Sequence, residues 1–283
     1  MHGRLSSRAR EVLSGQLPPV TPRDAATVML LRQPAAADAG PGTAPATGVE
    51  VYMLRRKASM AFAAGGYVFP GGSVDARDAD SEVAWAGPAV AEWGAIFAAP
   101  PDLARALVCA AVRETFEESG VLLAGPSPDE VVAGTASADW EADRQALLDR
   151  SLSLAGLLAR RRLVLRSDLL APWSRWITPL PEERRYDTRF FAAALPAAQQ
   201  PRDVGGEAAE VAWLRPAAAI AAARRKEILL WPPTAVTLAE LAACDSVAAA
   251  LAAPRDLAPL MPEATLTADG AWLTLPAALE YPL

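Results

Sequence analysis

Hydrophobic and polar residues follow two different periods along this chain. Short apolar or alternating runs bounded by Gly, Pro and Asp are typical of strands, whereas apolar residues three and four positions apart indicate amphipathic helices. The strand-type runs lie at 26–31, 49–54, 174–179, 188–195 and 210–214. The helix-type runs lie at 102–119, 139–162, 216–227 and 234–253. Strands interspersed with helices predict an α/β layered domain.

The helix predicted at 102–119, with Asp102 as N-cap and Gly120 as its end, has two chemically different faces. Its apolar side comprises Val108, Cys109, Val112 and Phe116. Its acidic side, an arc of roughly 100°, comprises Glu114, Glu117 and Glu118. Like charges at these spacings cost a helix about 0.2 to 0.5 kcal/mol per pair, so a compensating charge is expected. Arg113, four residues before Glu117, can neutralise or orient that one carboxylate but not all three.

Clustered carboxylate oxygens are ligands that suit Mg²⁺ or Mn²⁺, so the acidic face is a candidate cation site. A solvated acidic face is the alternative. Upstream, the segment Gly65-Gly66-Tyr67-Val68-Phe69-Pro70-Gly71-Gly72 contains glycines that permit positive φ and close backbone approach to a ligand. An ordinary tight turn is the alternative for this segment.

Composition narrows the class of protein. With 283 residues, 52% hydrophobic and 21% charged, the chain can bury a sizeable core. The net charge of -6 gives no general attraction to nucleic acid or an anionic membrane. No apolar run approaches about 20 residues, so we expect a cytoplasmic protein without a membrane span. The single histidine, His2, lies in a polar N-terminal segment, which argues against a histidine-based mechanism.

The sequence predicts a partly disordered tail at 1–23 and one domain at 24–283. Within this domain, residues 76–100 carry Trp85, Trp93, Ile96 and Phe97 between polar or proline-rich edges and predict a small packed insertion. Residues 232–283 predict a C-terminal extension of alanine-rich helices followed by a hairpin around Asp269-Gly270.

Two separated motifs together resemble the Nudix box of Nudix hydrolases, G-x5-E-x7-R-E-U-x-E-E-x-G-U. The first is Phe69-Pro70-Gly71-Gly72 and the second is Arg113-Glu114-x-x-Glu117-Glu118-x-Gly120. An insertion separates the two, Asp78 stands in place of the first glutamate, and Thr115 replaces an aliphatic residue. A split box of this kind, with downstream segments at 173–179 and 185–191, resembles the branch that includes peroxisomal coenzyme A diphosphatase-like proteins. The resemblance covers roughly residues 25 to 240.

The resemblance implies a Nudix-type α/β/α sandwich with a mixed sheet, a helical insertion within the box and a helical C-terminal appendage. It also implies a hydrolase that uses Mg²⁺ or Mn²⁺ to cleave the diphosphate of a nucleoside diphosphate linked to another moiety. Coenzyme A or acyl-coenzyme A is the leading candidate substrate. The implied metal ligands are Gly72, through its carbonyl, Glu114, Glu117 and Glu118. The implied catalytic residues are Arg113, Glu117, Glu118 and Glu207, with Glu210 or a box glutamate as the alternative general base.

The candidate substrate-binding residues are Arg56, Gly65, Phe69, Arg175 and Arg189. Ala61 stands where related enzymes have a second arginine, so the substrate stays open. We expect a small-molecule partner, no nucleic acid and no membrane, with a homodimer as one option for assembly. The competing hypothesis is a catalytically silent Nudix-fold module that binds a nucleotide or regulates another protein.

Overall fold

The computed structural model describes residues 7–34, 47–57, 64–204, 208–267, 270–276 and 281–283. His2, Ala61 and Asp269 lie outside these ranges. The strands are β1 (Arg23–Arg32), β2 (Glu50–Arg56), β3 (Tyr67–Val68), β4 (Gly71–Ser73), β5 (Trp85–Ala86), β6 (Ala124–Gly125), β7 (Val164–Arg166), β8 (Ala171–Ile177), β9 (Tyr186–Ala194), β10 (Ala208–Leu214), β11 (Pro259–Leu260), β12 (Glu263–Thr267) and β13 (Gly270–Thr274). The helices are α1 (Ser7–Leu13), α2 (Val90–Phe97), α3 (Pro101–Ser119), α4 (Ala138–Leu148), α5 (Leu154–Arg161), α6 (Pro216–Arg224), α7 (Pro232–Ala242) and α8 (Val247–Ala252), with short 3-10 helices at Ala76–Ala79 and Ser167–Leu169.

The main sheet is mixed, as predicted. Its strand order is β10-β2-β1-β9-β8-β11, with β3 added to β2 and β4 added to β1. Strand β1 is parallel to β9 along its length and antiparallel to both β2 and β4. The two antiparallel partners take different ends of β1, since Leu31 is opposite Val51 whereas Ala26 is opposite Gly72. The glycine-rich β4 therefore lies beside the first half of the central strand.

Helices cover both faces of this sheet, which confirms the α/β/α sandwich. Consecutive residues of a strand point to opposite faces, so the apolar run of β1 serves two cores. The first core lies under α3 and includes Val28, Leu30, Tyr52, Leu107, Val112, Phe116 and Phe191. The second core lies under α6, α7 and α8 and includes Met29, Leu31, Met53, Ala192, Ile220, Leu238, Leu241 and Val247. The helices at 232–252 thus form part of a layer of the sandwich.

Several boundaries differ from the sequence prediction. Helix α3 has Pro100 at the N-cap and Pro101 in its first turn, so the prediction of Asp102 as N-cap is wrong. Proline is favourable there because its fixed φ suits the first turn, where its missing N–H has no helical partner. The run 139–162 forms two helices, α4 and α5, and Arg150 between them has a positive φ of 63°. Part of the predicted tail is helical, because α1 lies within it.

The insertion at 76–100 packs onto the main sheet through aromatic side chains of α2. Trp93 stacks on Phe97 with their ring centroids 5.4 Å apart, and Phe97 meets Phe191 of β9 edge-to-face at 5.4 Å. Trp93 is only 1% exposed. The insertion therefore contributes to the same core that holds α3.

Within the described residues, no single helix has the length and apolar character needed to cross a bilayer. Helices α2 and α3 meet the requirement only as a pair, and they are bent by 95° relative to each other.

Trp93→Ala should destabilise the protein by about 3 to 5 kcal/mol, because it removes a large buried ring from the core beneath α3. The free energy of unfolding in urea measures this effect. Ile96→Ala on the same helix is the matched control: its side chain is 38% exposed, so we expect a change within about 0.5 kcal/mol. Equal effects of the two substitutions would contradict a core role for the insertion.

Candidate active site

A buried ion pair joins the two separated halves of the candidate site. Arg113 of α3 donates from Nε to Oδ1 of Asp78 at 3.0 Å and from Nη2 to Oδ2 at 2.9 Å. Asp78 is 2% exposed and Arg113 is 9% exposed. Nη2 also donates to the Ser73 carbonyl at the end of β4, at 3.0 Å. After Asp78 the chain forms the rest of the insertion and then returns. Arg113 of α3 therefore contacts residues that precede this excursion, Ser73 and Asp78.

The same guanidinium orients two of the three glutamates. Nη1 of Arg113 donates to Oε1 of Glu114 at 2.7 Å and to Oε2 of Glu117 at 3.2 Å. The sequence predicted that Arg113 would orient Glu117, and the structure adds Glu114 and Asp78 to its partners. Nε, Nη1 and Nη2 of Arg113 therefore all donate to protein groups. Its assignment as a catalytic residue stays a prediction.

The glycine-rich loop and the acidic helix are in direct contact. A Cβ atom on Gly72 would lie 2.5 Å from Oε1 of Glu114, so a larger residue here would displace this carboxylate. The Gly71 amide donates to Oε2 of Glu118 at 2.9 Å. Glu114 and Glu118 of the acidic helix face are therefore close to Gly72 and Gly71 of the glycine-rich segment.

Burial changes the acidity of these glutamates. Desolvation raises the pKa of Glu114 to about 7, although Arg113 acts in the opposite direction. Desolvation also raises the pKa of Glu117, against the same opposing charge. A single arginine therefore does not fully compensate the buried negative charge, as the sequence predicted.

Sequence reasoning missed a fourth acidic residue, Asp203. Burial raises the pKa of the Tyr52 phenol, and the negative charges of Asp203 and Glu118 raise it further. The Tyr52 hydroxyl donates to the Arg202 carbonyl at 3.0 Å, which fixes this part of the connection between β9 and β10. The charges of Asp203 and Glu118 thus both act on Tyr52. Its position in the loop before β10, the region searched for a general base, is the signal that could have identified it.

The donor set fits a hard divalent cation in its chemistry, since buried carboxylates and a backbone carbonyl beside Gly72 are the ligand types that Mg²⁺ and Mn²⁺ take. The close approach of Gly72 to the Glu114 carboxylate and the raised pKa of Glu114 agree with such a role. Among the residues that the structure describes, no three His, Cys, Asp or Glu side chains already converge on one ion position. Glu114 and Glu117 are instead directed towards Arg113.

Three predicted substrate-binding residues have structural roles in this arrangement. Phe69 is 3% exposed and packs edge-to-face on Phe190 in the second core, so its assignment to substrate is corrected. Arg175 is paired with Asp187 at 2.6 Å across β8 and β9. Arg189 is 3% exposed and paired with Asp24 at 2.7 Å. Each carboxylate comes from a strand next to that of its arginine. Arg175 and Arg189 therefore form ion pairs within the protein.

The remaining predictions lie near the ends of β2 and β10. Arg56 is half-buried and its amide donates to the Gly66 carbonyl at 3.0 Å, while Gly65 has a φ of 69° in the adjoining turn. Both stay predictions as substrate contacts. Glu207 lies outside the described residues. Glu210, the alternative base, accepts a hydrogen bond from the Tyr67 hydroxyl at 3.1 Å.

Comparison with known proteins agrees with this geometry. The model of the NUDT19 Nudix domain matches residues 89–241, which is more than half of the chain. The chain belongs to the NUDT19 Nudix family. The match begins inside the insertion, so Gly72 and Asp78 precede it. The structure itself connects these two residues to the matched part of the Nudix domain, through Arg113 and Glu114.

Similar curated proteins carry the name acyl-coenzyme A diphosphatase NUDT19. The one from Gallus gallus is 29% identical over 234 residues, covering 68% of this chain, and the one from Homo sapiens is 29% identical over 228 residues, covering 67%. This Nudix chain spans 61% and 59% of their lengths, respectively. A crystal structure of a NUDIX hydrolase from Alicyclobacillus acidocaldarius has a TM-score of 0.69 and 26% identity, and the match covers 83% of this chain and 98% of that one.

Asp78→Ala should cost about 3 to 5 kcal/mol of stability, because it leaves the buried Arg113 charge without its bidentate partner. Urea unfolding followed by circular dichroism measures this. The control is Asp129→Ala, which removes an exposed carboxylate and should change stability by no more than about 0.5 kcal/mol. A cost for Asp78→Ala as small as that of the control would show that the ion pair does not close the split box.

Proposed function

We propose that this protein is a metal-dependent Nudix hydrolase that cleaves the diphosphate of a nucleoside diphosphate derivative. The observation that carries the proposal is that Arg113 joins the two halves of the split box through Asp78. Arg113 also pairs with Glu114 and Glu117, and the Gly71 amide donates to Glu118. Coenzyme A or acyl-coenzyme A is the proposed substrate. The name of the similar curated proteins, acyl-coenzyme A diphosphatase NUDT19, supports that choice.

The proposed mechanism assigns a task to each group. Glu114, Glu117, Glu118 and the Gly72 carbonyl would hold Mg²⁺ or Mn²⁺, which supplies charge neutralisation for the diphosphate and activation of a water molecule. The water oxygen bonds to one phosphorus, the bond from that phosphorus to the bridging oxygen breaks, and two phosphate monoesters leave. The proton of the water passes to a carboxylate, for which Glu118, Asp203 and Glu207 are the candidates. Arg113 keeps the glutamates in place throughout.

We further propose a small-molecule substrate in the cytoplasm, without a nucleic acid or membrane partner. The net charge of -6 supports this proposal because it opposes binding to polyanions. A homodimer is proposed as the assembly, and light scattering of the purified protein tests it.

Glu118→Gln should lower the Mg²⁺-dependent hydrolysis of coenzyme A by at least about 100-fold, because it removes a charged ligand and candidate base while keeping the shape of the side chain. Products are identified by mass, with acyl-coenzyme A, ADP-ribose, NADH and dinucleoside polyphosphates tested in parallel. Glu82→Gln, an exposed glutamate of the insertion, should leave turnover unchanged. Unchanged turnover in Glu118→Gln would refute the assignment, and calorimetric binding without product would favour a silent module.

The raised pKa of Glu114 predicts a pH-dependent stability without added metal. A carboxyl whose pKa rises from 4.5 in the unfolded chain to about 7 in the folded protein contributes full stability below 4.5 and loses it as the pH rises through 7. Bound Mg²⁺ should offset this loss, so its stabilising effect in urea unfolding should be larger at about pH 8 than at about pH 5. Glu114→Gln should weaken both effects. An equal Mg²⁺ effect at both pH values would contradict a cation site at Glu114.

A further inference from the structure

Arg144 of α4 is buried where it contacts two parts of the candidate site. It is 1% exposed, which makes it one of the most buried side chains in the described chain. Nη1 donates to the carbonyl of Glu117 in α3 at 2.7 Å, and Nη2 donates to the carbonyl of Val204 at 3.1 Å. Glu141 supplies the balancing charge, at 3.0 Å from Nε and 2.5 Å from Nη2. One guanidinium thus connects the acidic helix to the segment that follows Asp203.

The connection between β9 and β10 is attached to the end of α3 at two further points. The Gln199 side chain, 2% exposed, accepts from the Leu122 amide and donates to the Leu122 carbonyl, both at 2.9 Å. The Arg202 amide donates to the Ser119 carbonyl at 3.1 Å, and its guanidinium donates to Glu141 at 3.2 Å. Residues 199–204 therefore follow α3 as a strap held by hydrogen bonds.

The end of α3 is built to receive this strap. The last four carbonyls of a helix lack helical partners, and here Arg144 and Arg202 satisfy those of Glu117 and Ser119. Positive charge is also favourable at a helix C-terminus. Gly120 has a φ of 73°, and a Cβ atom there would lie 2.3 Å from Nη1 of Arg202. Glycine at this position therefore both ends the helix and leaves room for the arginine.

We propose that Arg144 is a positioning residue for the diphosphatase site: it holds the strap 199–204 against α3, so that Asp203 in the strap and Glu117 in α3 keep their places relative to each other. This inference rests on the proposed function. The Glu141 side chain is 40% exposed, so the buried part of this arrangement is the guanidinium and the two carbonyls that it joins. Removing Arg144 leaves the Glu117 and Asp203 side chains chemically intact and removes the bonds that hold the backbones of Glu117 and Val204 together.

The test compares Arg144→Met and Arg144→Lys with wild type, using coenzyme A and Mg²⁺. We expect kcat to fall about 10- to 100-fold in Arg144→Met with little change in KM, because small misplacements of catalytic groups carry costs of that order. Arg144→Lys keeps the positive charge but lacks the planar guanidinium that donates to two groups at once, so it should retain part of the kcat that Arg144→Met loses. Hydrogen exchange should become faster at residues 199–204 in Arg144→Met. If Arg144→Met does not fold, kcat, KM and hydrogen exchange at 199–204 are compared with wild type in Glu141→Gln and Arg144→Lys.

Arg166→Met is the matched control. Arg166 is 8% exposed, and its guanidinium also bonds one carboxylate and one carbonyl, those of Asp168 and Glu130. It should lose stability while kcat and exchange at 199–204 stay at wild-type values. A folded Arg144→Met with unchanged kcat, or equal losses of kcat in both arginine variants, would overturn the proposal.

Asp203→Asn combined with Arg144→Met adds a second check. If Arg144 acts through the strap, the two losses of kcat should be less than additive, since coupled residues deviate from additivity. If wild type hydrolyses none of the diphosphates tested, the proposed function fails separately, and Mn²⁺ affinity by calorimetry replaces kcat. Weaker Mn²⁺ binding in Arg144→Met, with faster exchange at 199–204, would then support the positioning role, and unchanged values of both would refute it.

Discussion

The buried charge of Arg113 is the constraint on which the site depends. A guanidinium that is 9% exposed must find partners inside the protein, and it finds them in two segments that an insertion separates in the sequence. Asp78 and the Ser73 carbonyl come from one segment, and Glu114 and Glu117 come from the other. Burying this one charge therefore assembles the acidic helix against the glycine-rich loop. The insertion is tolerated because it leaves and returns through this ion pair and packs its own aromatic residues onto the same core.

The central position of β1 explains why this assembly is rigid. Its side chains alternate between two cores, so both layers of helices fix it, and β4 is registered directly beside its first half. Helix α3 then lies on a sheet surface that cannot shift without disturbing both cores. At its end, the Arg144 guanidinium from α4 and the Arg202 amide from the β9–β10 connection donate to backbone carbonyls of α3. Within α3, Arg113 bonds the carboxylates of Asp78, Glu114 and Glu117.

The sequence predicted the elements well where the signal was local. Spacings of three and four residues placed Glu114, Glu117 and Glu118 on one helix face, and the structure brings Gly71 and Gly72 of the Phe-Pro-Gly-Gly segment against Glu118 and Glu114. Predictions that needed a partner distant in sequence were less successful. Arg175 and Arg189 look like free cations in the sequence, but strand pairing places Asp187 and Asp24 beside them. Phe69 looks like part of a binding loop, but the second core buries it.

By itself the sequence determined the family, the layered fold and the grouping of three carboxylates on one helix face, because helical periodicity, glycine-rich turns and box residues are all encoded over short distances. Only the tertiary structure decided that Asp78 bonds Arg113 across the insertion, that the charges of Asp203 and Glu118 both act on Tyr52, and that Arg144 joins Glu117 to Val204. Each of these contacts joins residues far apart in the chain. Their formation depends on how the two helical layers and the mixed sheet pack, and no local pattern records that packing.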